Sequence, residues 1–333
     1  MLECCTMKAR TLVIINPTSA RARRAWPQVK SRLAENGVHF DAHETRHAGD
    51  ATEKTRRALR EGYRTIAVVG GDGSLSEAAS GFFELEGNKK HDAFHPPAQI
   101  NADAALAILP AGTGDDFARG LAGVRAPLEK WLETFIAYCR RDDESGTRLI
   151  DVIHGRATDG ARDFICLNVA TIGLGAEVAA RVASQSGAVK RLPGEARFVS
   201  AALGALAAWR ERRVRVILDE NKVIENKTNL LAVANGIYAG GGMMFAPEAR
   251  TDDRLIDFML THDLTRSTIL RELPRIRRGE HLSNPHVSIT RATSVRVETE
   301  GENNALLVEA DGNLRGHTPA AFRVMPGALK IIM

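Results

Sequence analysis

Three short, almost wholly apolar runs fall in the first third of this 333-residue chain: TLVIIN at 11–16, RTIAVV at 64–69 and AALAIL at 104–109. Runs this short and this uniformly apolar suit strands buried on both faces, as parallel strands are beneath helical layers. Pro17 ends the first, Gly70-Gly71 the second and Pro110 the third. Between them, residues 25–36 carry Trp26, Val29 and Leu33 at helical spacing, with Gly37 as a stop. Residues 39–44 read as another strand, 50–61 as a helix with Asp50 as N-cap, and 74–85 as a further helix. The alternation predicts a parallel sheet with helices on both faces.

From about residue 149 the rhythm changes. Short β-type runs follow at 149–154, 163–170, 214–218, 229–234, 255–260, 294–299, 305–309 and 322–325. Only two helical patterns interrupt them, at 197–213 and 267–278. A run of strands after a run of βα units predicts a second, mostly antiparallel domain. The fold class expected is therefore α/β plus β.

Charge narrows the partners. Lys and Arg number 45 against 41 Asp and Glu, a net +4, too balanced for a chain that wraps nucleic acid. Of the basic residues 35 are Arg, the better fork for phosphate oxygens. Cys4, Cys5, Cys139 and Cys166 form no Cys-x-x-Cys pair, so neither a zinc ribbon nor a disulfide framework is expected. The longest apolar stretch, 199–209, is far short of the ~20 residues that span a bilayer. With no charged-then-apolar leader, a cytoplasmic location is expected, and Met7 is as good a start as Met1.

The informative segments are two glycine-rich loops. Gly70-Gly71-Asp72-Gly73-Ser74 sits between a strand and a helix, where glycines let backbone N–H groups approach phosphate and the helix terminus adds positive potential. Asp72 would repel phosphate there unless a divalent cation or a proton-transfer role justifies it. Pro110-Ala111-Gly112-Thr113-Gly114-Asp115-Asp116 repeats the arrangement, with Thr113 offering a hydroxyl and Asp115 or Asp116 capping the helix. Both loops lie at the carboxyl ends of strands, where open parallel sheets bind ligands. Neither is a Walker A loop or a Gly-x-Gly-x-x-Gly loop, so a dinucleotide Rossmann site is disfavoured.

These segments resemble a known family. GGDGSLSEAASG (70–81) and LPAGTGDDFARGL (109–121) are similar to the two signature loops of the diacylglycerol kinase catalytic domain, specifically the soluble bacterial lipid kinases. NPTSA (16–20), Thr45 with GDA (49–51), FAPEARTDDRLIDF (245–258) and EADGN (309–313) resemble further family segments, in the right order along nearly the whole chain. The resemblance implies an NAD kinase/phosphofructokinase-like N-terminal domain and an antiparallel β-sandwich-like C-terminal domain. On that reading residues 7–148 bind nucleotide, 149–319 bind a lipid substrate, and 320–333 pack back onto the first domain.

The resemblance also implies roles. Asn16, Thr45, Gly70, Gly71, Gly73, Ser74, Gly112 and Thr113 would surround ATP, and Asp72 would lie beside the transferred phosphoryl group and its Mg²⁺. Asp253, with the backbone carbonyls of Arg250 and Leu255, would hold a structural Mg²⁺, an oxygen-only set suited to a hard cation. Asp311 would be the base that takes the proton from a lipid hydroxyl. The partner implied is a lipid substrate, which leaves room for peripheral contact with the inner membrane face; separately, a chain of this size suits a twofold homodimer, the commonest assembly.

Four departures stand out: Asn313 where the family has Glu, Asp115 for Asn, Arg254 for Gly, and Ala20 for Gly. An amide at 313 accepts no proton, which leaves Asp311 or Asp72 as base. Two rival readings follow. One is a kinase of a soluble substrate, NAD kinase-like, which the absence of any Asn-Glu dipeptide disfavours. The other is an ATP- or lipid-binding protein with weak turnover, for which Asn313 is the support. Gly240-Gly241-Gly242 reads as a bulge or hairpin, His317 as a surface loop residue, and the Arg clusters at 210–213 and 275–278 as solvated helix faces.

Overall fold

All five residues of TLVII in β1 (Thr11–Ile15) are buried, which is the condition their composition demands. The computed structural model describes residues 10–85, 94–141, 145–159, 163–186, 194–301 and 304–333; Met7, Cys4 and Cys5 lie outside them. After β1 come α1 (Ala20–Glu35), β2 (Asp41–Glu44), α2 (Asp50–Arg60), β3 (Thr65–Gly70) and α3 (Asp72–Ser80). Next are β4 (Ala105–Pro110), α4 (Asp116–Ala122) and α5 (Leu128–Arg140). Strands β2, β1, β3 and β4 pair in that order, all in parallel.

Local chemistry corrects several expected boundaries. Helix α1 starts five residues earlier than its apolar stripe, because the Ser19 hydroxyl accepts the Ala22 amide and caps it. Asp50 is not the cap of α2: Gly49 is, and the Asp50 carboxylate instead accepts the Arg46 amide and bonds His43. Helix α3 begins at Asp72 and stops at Ser80, short of residue 85. Helix α5 was not expected, although Trp131, Leu132, Phe135 and Ile136 bury one face at helical spacing.

The second half contains β5 (Thr147–Thr158), β6 (Phe164–Cys166), β7 (Val169–Gly173), α6 (Leu174–Ser184), α7 (Gly194–Ala208), β8 (Arg212–Leu218) and β9 (Lys222–Thr228). Then follow β10 (Leu230–Ala234), β11 (Tyr238–Ala239), β12 (Met243–Met244), β13 (Ile256–Thr261), α8 (Arg266–Ile276), β14 (Val287–Ala292), β15 (Ser294–Thr299), β16 (Leu307–Ala310) and β17 (Asn313–Ile332). Strands β14, β13, β10, β7, β16 and β17 are neighbours in that order, each pair antiparallel. The architecture is thus a parallel α/β half followed by an antiparallel β-rich half. The expected strand at 163–170 is two strands broken at Leu167-Asn168. Arg212 and Arg213 open β8 rather than extending a helix, since α7 ends at Ala208. His317 lies within β17, not in a loop.

The 20-residue β17 joins the halves. Its end, Lys330–Ile332, runs parallel to Ala105–Ala107 of β4, while most of its length pairs antiparallel with β5. The sheet is therefore continuous from β14 to β2. One hydrophobic core lies around β1, β3 and β4. A second fills the β-rich half around Ile172, Val216, Phe258 and Phe322.

Candidate active site

The two glycine loops meet backbone to backbone. A Cβ added to Gly71 would lie 3.0 Å from the Cα of Gly112, a main-chain atom that cannot move aside without displacing its loop. The loops are further tied by side chains. Asn16 Nδ2 donates to Ser74 Oγ at 3.0 Å, Ser19 Oγ to the Ala111 carbonyl at 3.2 Å, and Arg21 to the Gly112 carbonyl at 2.8 Å. The Asn16-Pro17-Thr18-Ser19 segment thus braces both. The Thr45 amide bonds the Ile15 carbonyl, which fixes residue 45 beside the end of β1.

Asp72 lies in the first turn of α3 rather than in the preceding loop. Its Oδ2 accepts the Asp116 amide at 3.1 Å and its Oδ1 the Phe117 amide at 3.0 Å. It therefore satisfies amides at the start of α4, whose own flanking residue Asp115 makes no such cap. Asp115 has φ 51 and instead accepts the Gly112 amide at 2.8 Å. Asn and Asp both tolerate that left-handed backbone, so the Asp115 departure leaves the loop's shape intact. Arg125 donates to the Thr113 carbonyl at 3.0 Å and lies 3.5 Å from the Asp115 carboxylate, offsetting its charge. Burial and then the neighbouring Asp72 push the Asp116 carboxyl up to about 6.

Gly240, Gly241 and Gly242 turn the hairpin between β11 and β12, all at positive φ, as only glycine does cheaply. The hairpin reading holds, with one addition: the Gly241 amide donates to Asp116 Oδ2 at 2.7 Å. The β-rich half thereby touches the second loop.

Asp311 has φ 49 in the turn between β16 and β17, and its carboxylate points into the protein. Oδ2 accepts the Leu167 amide at 2.7 Å, Oδ1 the Asn168 amide at 3.0 Å, and the Cys166 thiol lies 3.4 Å away. These are the residues where the strand at 163–170 breaks, so Asp311 holds the break. Burial pushes its carboxyl up while the two amides pull it down. Asn235 reinforces the region by donating to the Asp151 and Leu167 carbonyls.

The segment around Asp253 lies apart, in the loop before β13. Asp253 Oδ1 accepts its own loop's Leu255 amide at 3.1 Å, leaving the second oxygen free of that bond. Arg254 has φ 67, the conformation the family's glycine would take, and its amide donates to Asp151 Oδ2 at 2.6 Å. Asp151 also accepts the Gly327 amide, fastening this loop to β17. Asp253, Arg250 and Leu255 offer oxygen donors only, consistent with a hard cation.

A cavity of about 810 Å³ brings together Asp72, Gly73 and Thr113 on one side and Asp311, Gly312 and Asn313 on another. Asn16, Thr45, Gly70, Gly71, Ser74 and Gly112 stand outside its lining and shape the loops behind it. Beyond the polar mouth its wall is mostly apolar, from Leu174 and Val178 of α6, Leu206 of α7, Met259 of β13, and Ile269 and Ile276 of α8, with Glu272 and His281 among them. Sequence reasoning missed Arg125, Asn168, Thr171 and Glu309, all of which line it. For Glu309 a signal existed: an acid in an otherwise apolar run, at 305–309.

Residues 10–147 match the family described as the diacylglycerol kinase catalytic domain, and residues 170–333 the YegS C-terminal NAD kinase beta sandwich-like domain. Among curated proteins, the "Probable lipid kinase YegS-like" of Chromohalobacter salexigens is 30% identical over 98% of this chain and 94% of its own. The diacylglycerol kinase of Mycobacterium tuberculosis (strain ATCC 25618 / H37Rv) is 29% identical over 97% of this chain and 94% of its own. A crystal structure of a diacylglycerol kinase from Bacillus anthracis str. Sterne has a TM-score of 0.65 and 20% identity, covering 98% of this chain and 96% of that one, and shares the fold.

Proposed function

The chain belongs to the bacterial lipid kinase family built on a diacylglycerol kinase catalytic domain, and from that premise we propose that it transfers the γ-phosphoryl group of ATP to a lipid hydroxyl. The observation that carries this reading is a cavity that combines a carboxylate-lined mouth with a deep apolar wall. A soluble metabolite has no use for that wall. An acyl chain does, because each buried CH₂ is worth about 0.8 kcal/mol.

Phosphoryl transfer asks the protein chiefly for positioning and charge stabilisation. The paired loops, held together through Gly71 and Gly112, are the proposed cradle for the ATP phosphates. Asn16, Thr45, Gly70, Gly73, Ser74 and Thr113 complete it. Asp72 and Asp116 present oxygen donors at the mouth, a set that fits Mg²⁺. Mg²⁺ bound there would neutralise part of the phosphate charge. Asp72 orients the start of α4, and with it Thr113, toward the acceptor. Asp311, Gly312 and Asn313 line the cavity as well, where the acceptor hydroxyl would lie. Asp253 with the Arg250 and Leu255 carbonyls is proposed as a separate, structural Mg²⁺ site.

No helix among the described residues is long and apolar enough to cross a membrane. On the lipid kinase reading, the substrate would be taken from a membrane surface by peripheral contact.

The test is a radiolabelled ATP assay with Mg²⁺ and mixed lipid micelles, run beside a panel of soluble metabolites and the Asp72→Ala variant. Label in an organic-phase product, lost in the variant, supports the proposal. Label only in a soluble product, or ATP binding without transfer to anything, overturns it.

A further inference from the structure

Glu309 opens the EADGN segment but carries none of the roles that the family resemblance implies. Its neighbours Val308 and Ala310 are fully buried in the β-rich core, opposite Ile172 and Ala170 of β7. Side chains alternate along a strand, so Glu309 and its partner Thr171 face the other way, into the cavity that also exposes Asp72 and Asn313. Thr171 Oγ1 donates to Glu309 Oε2 at 2.8 Å, and the Gly312 amide donates to Oε1. Neither donor is a cation. A carboxylate this deep, at 7% exposure, is costly unless it is needed.

The alternatives nearby are less suited. Both oxygens of Asp311 accept main-chain amides that hold the break between β6 and β7, and protonation there would weaken them. Asn313 has no acidic group, and its amide donates to the Asp311 carbonyl at 3.3 Å.

Resting on the lipid kinase reading above, we propose that Glu309 is the base that takes the proton from the substrate hydroxyl, and that Asp311 is the residue that positions its turn. The hydroxyl oxygen bonds to the γ-phosphorus of ATP as the bond from that phosphorus to the β,γ-bridging oxygen breaks. ADP leaves with the electron pair, the hydroxyl proton passes to a Glu309 oxygen, and Glu309 later returns it to solvent.

The electrostatics suit the task. Burial is the main cause that lifts the Glu309 carboxyl, to about 7, where it accepts a proton readily near neutral pH. The Asp311 charge raises it further, while the Thr171 and Gly312 bonds and Arg315 of β17 lower it. The Cys166 thiol lies at the end of β6, and Asp72, Asp116 and Arg125 line the glycine-loop part of the cavity; α6 contributes Leu174, Gly175, Val178, Ala179, Val182 and Ala183 to the lining, none of them titratable.

The experiment measures kcat and KM against pH with radiolabelled ATP and dioctanoylglycerol, sphingosine and phosphatidylglycerol micelles, for the wild type, Glu309→Gln, Glu309→Asp and Glu309→Gln combined with Asn313→Glu. Expected for Glu309→Gln is a fall in kcat of at least ~100-fold with the KM for ATP unchanged. The acidic limb of the wild-type profile, inflecting near pH 7, should vanish in Glu309→Gln and move in Glu309→Asp. Restoring a carboxylate at 313 should recover at least about tenfold of the loss, which a merely structural role would not permit. Glu309→Gln within about threefold of wild type overturns the assignment, as does an unmoved limb in Glu309→Asp should the Gln variant not fold. Label that reaches lipid in Glu309→Gln at close to the wild-type rate sinks only the base. Label that reaches no lipid in the wild type sinks the kinase reading, and the base with it.

Discussion

Asp72 Oδ1 accepts the backbone amide of Phe117 at 3.0 Å, so the acid that opens α3 caps the helix that follows the second glycine loop. The bond spans 45 residues of sequence and makes one carboxylate responsible for two things. It sets the relative position of α3 and α4, and it places a negative charge at the mouth of the cavity. The two roles separate on substitution.

Asp72→Asn keeps an oxygen that can accept an amide, whereas Asp72→Ala keeps none. Both variants should lose phosphoryl transfer, but Asp72→Ala should in addition lose about 0.5–2 kcal/mol of stability, the usual size of a helix cap. Transfer assays and thermal melts on the pair would check this. Equal melting of the two variants would remove the capping role.

Asp116 makes stability pH-dependent. Its carboxyl lies at about 6 in the folded protein against the 3.8 of an unperturbed aspartate, so the fold holds this proton more tightly than the unfolded chain does. Its contribution to stability is greatest below the lower value, falls as pH rises between the two, and reaches its full deficit above about 6. Asp116→Asn lacks the deficit and keeps an acceptor for the Gly241 amide. The melting temperature of the variant minus that of wild type, measured in a chelator, should therefore grow between pH 4 and 7, by up to about 2 kcal/mol in stability. A flat difference would refute it.

Arg254 is exposed and holds a left-handed backbone at φ 67, which costs a side-chain-bearing residue about 1–2 kcal/mol that glycine avoids. Arg254→Gly should raise stability by roughly 1 kcal/mol, the greater chain entropy of glycine taking back part of the gain. Chemical denaturation would show it as a higher midpoint at unchanged slope.

Asp115→Asn restores the family's residue at a position whose bond to the Gly112 amide and left-handed backbone both suit Asn. Removing a carboxylate only partly offset by Arg125 should lower the Kd for ATP by roughly two- to fivefold, the scale of a weak screened charge interaction. Calorimetric titration of ATP would measure it.

The parts of this molecule that sequence exposes are those governed by local rules. Uniform burial made β1, β3 and β4 legible, and glycines at strand ends marked both loops. Caps escaped for two reasons: the partner of an orphan amide can be far along the chain, as Asp72 is for α4, or a competing amide can stand close by, as Arg46 does for Asp50. The break at Leu167-Asn168 escaped for the first reason, since the group that holds it is Asp311, 143 residues from Asn168. The apolar wall was hidden differently. Periodicity tells that Leu206 and Ile269 turn inward, but an inward residue facing packed core and one facing a void have the same pattern, and α6, which carries Val178, is a third helix in the second half where only two were expected. Residue 309 fell between these cases, a polar member of an apolar run whose meaning depends on the strand's two faces having different neighbours.

Strand β17 has a mechanical consequence. Because one continuous strand is hydrogen-bonded to β4 at its end and to β5, β15 and β16 before it, the parallel and antiparallel halves are parts of a single ribbon. Such a ribbon transmits torque. Motion that brings the two halves together must be shared as twist along the strand, most easily where its pairing with β5 slips between Met325 and Leu329, rather than concentrated in a loose linker. Gly327 sits in that short irregular stretch, and the bond from its amide to the Asp151 carboxylate ties the one place where the ribbon can twist most easily to the loop before β13.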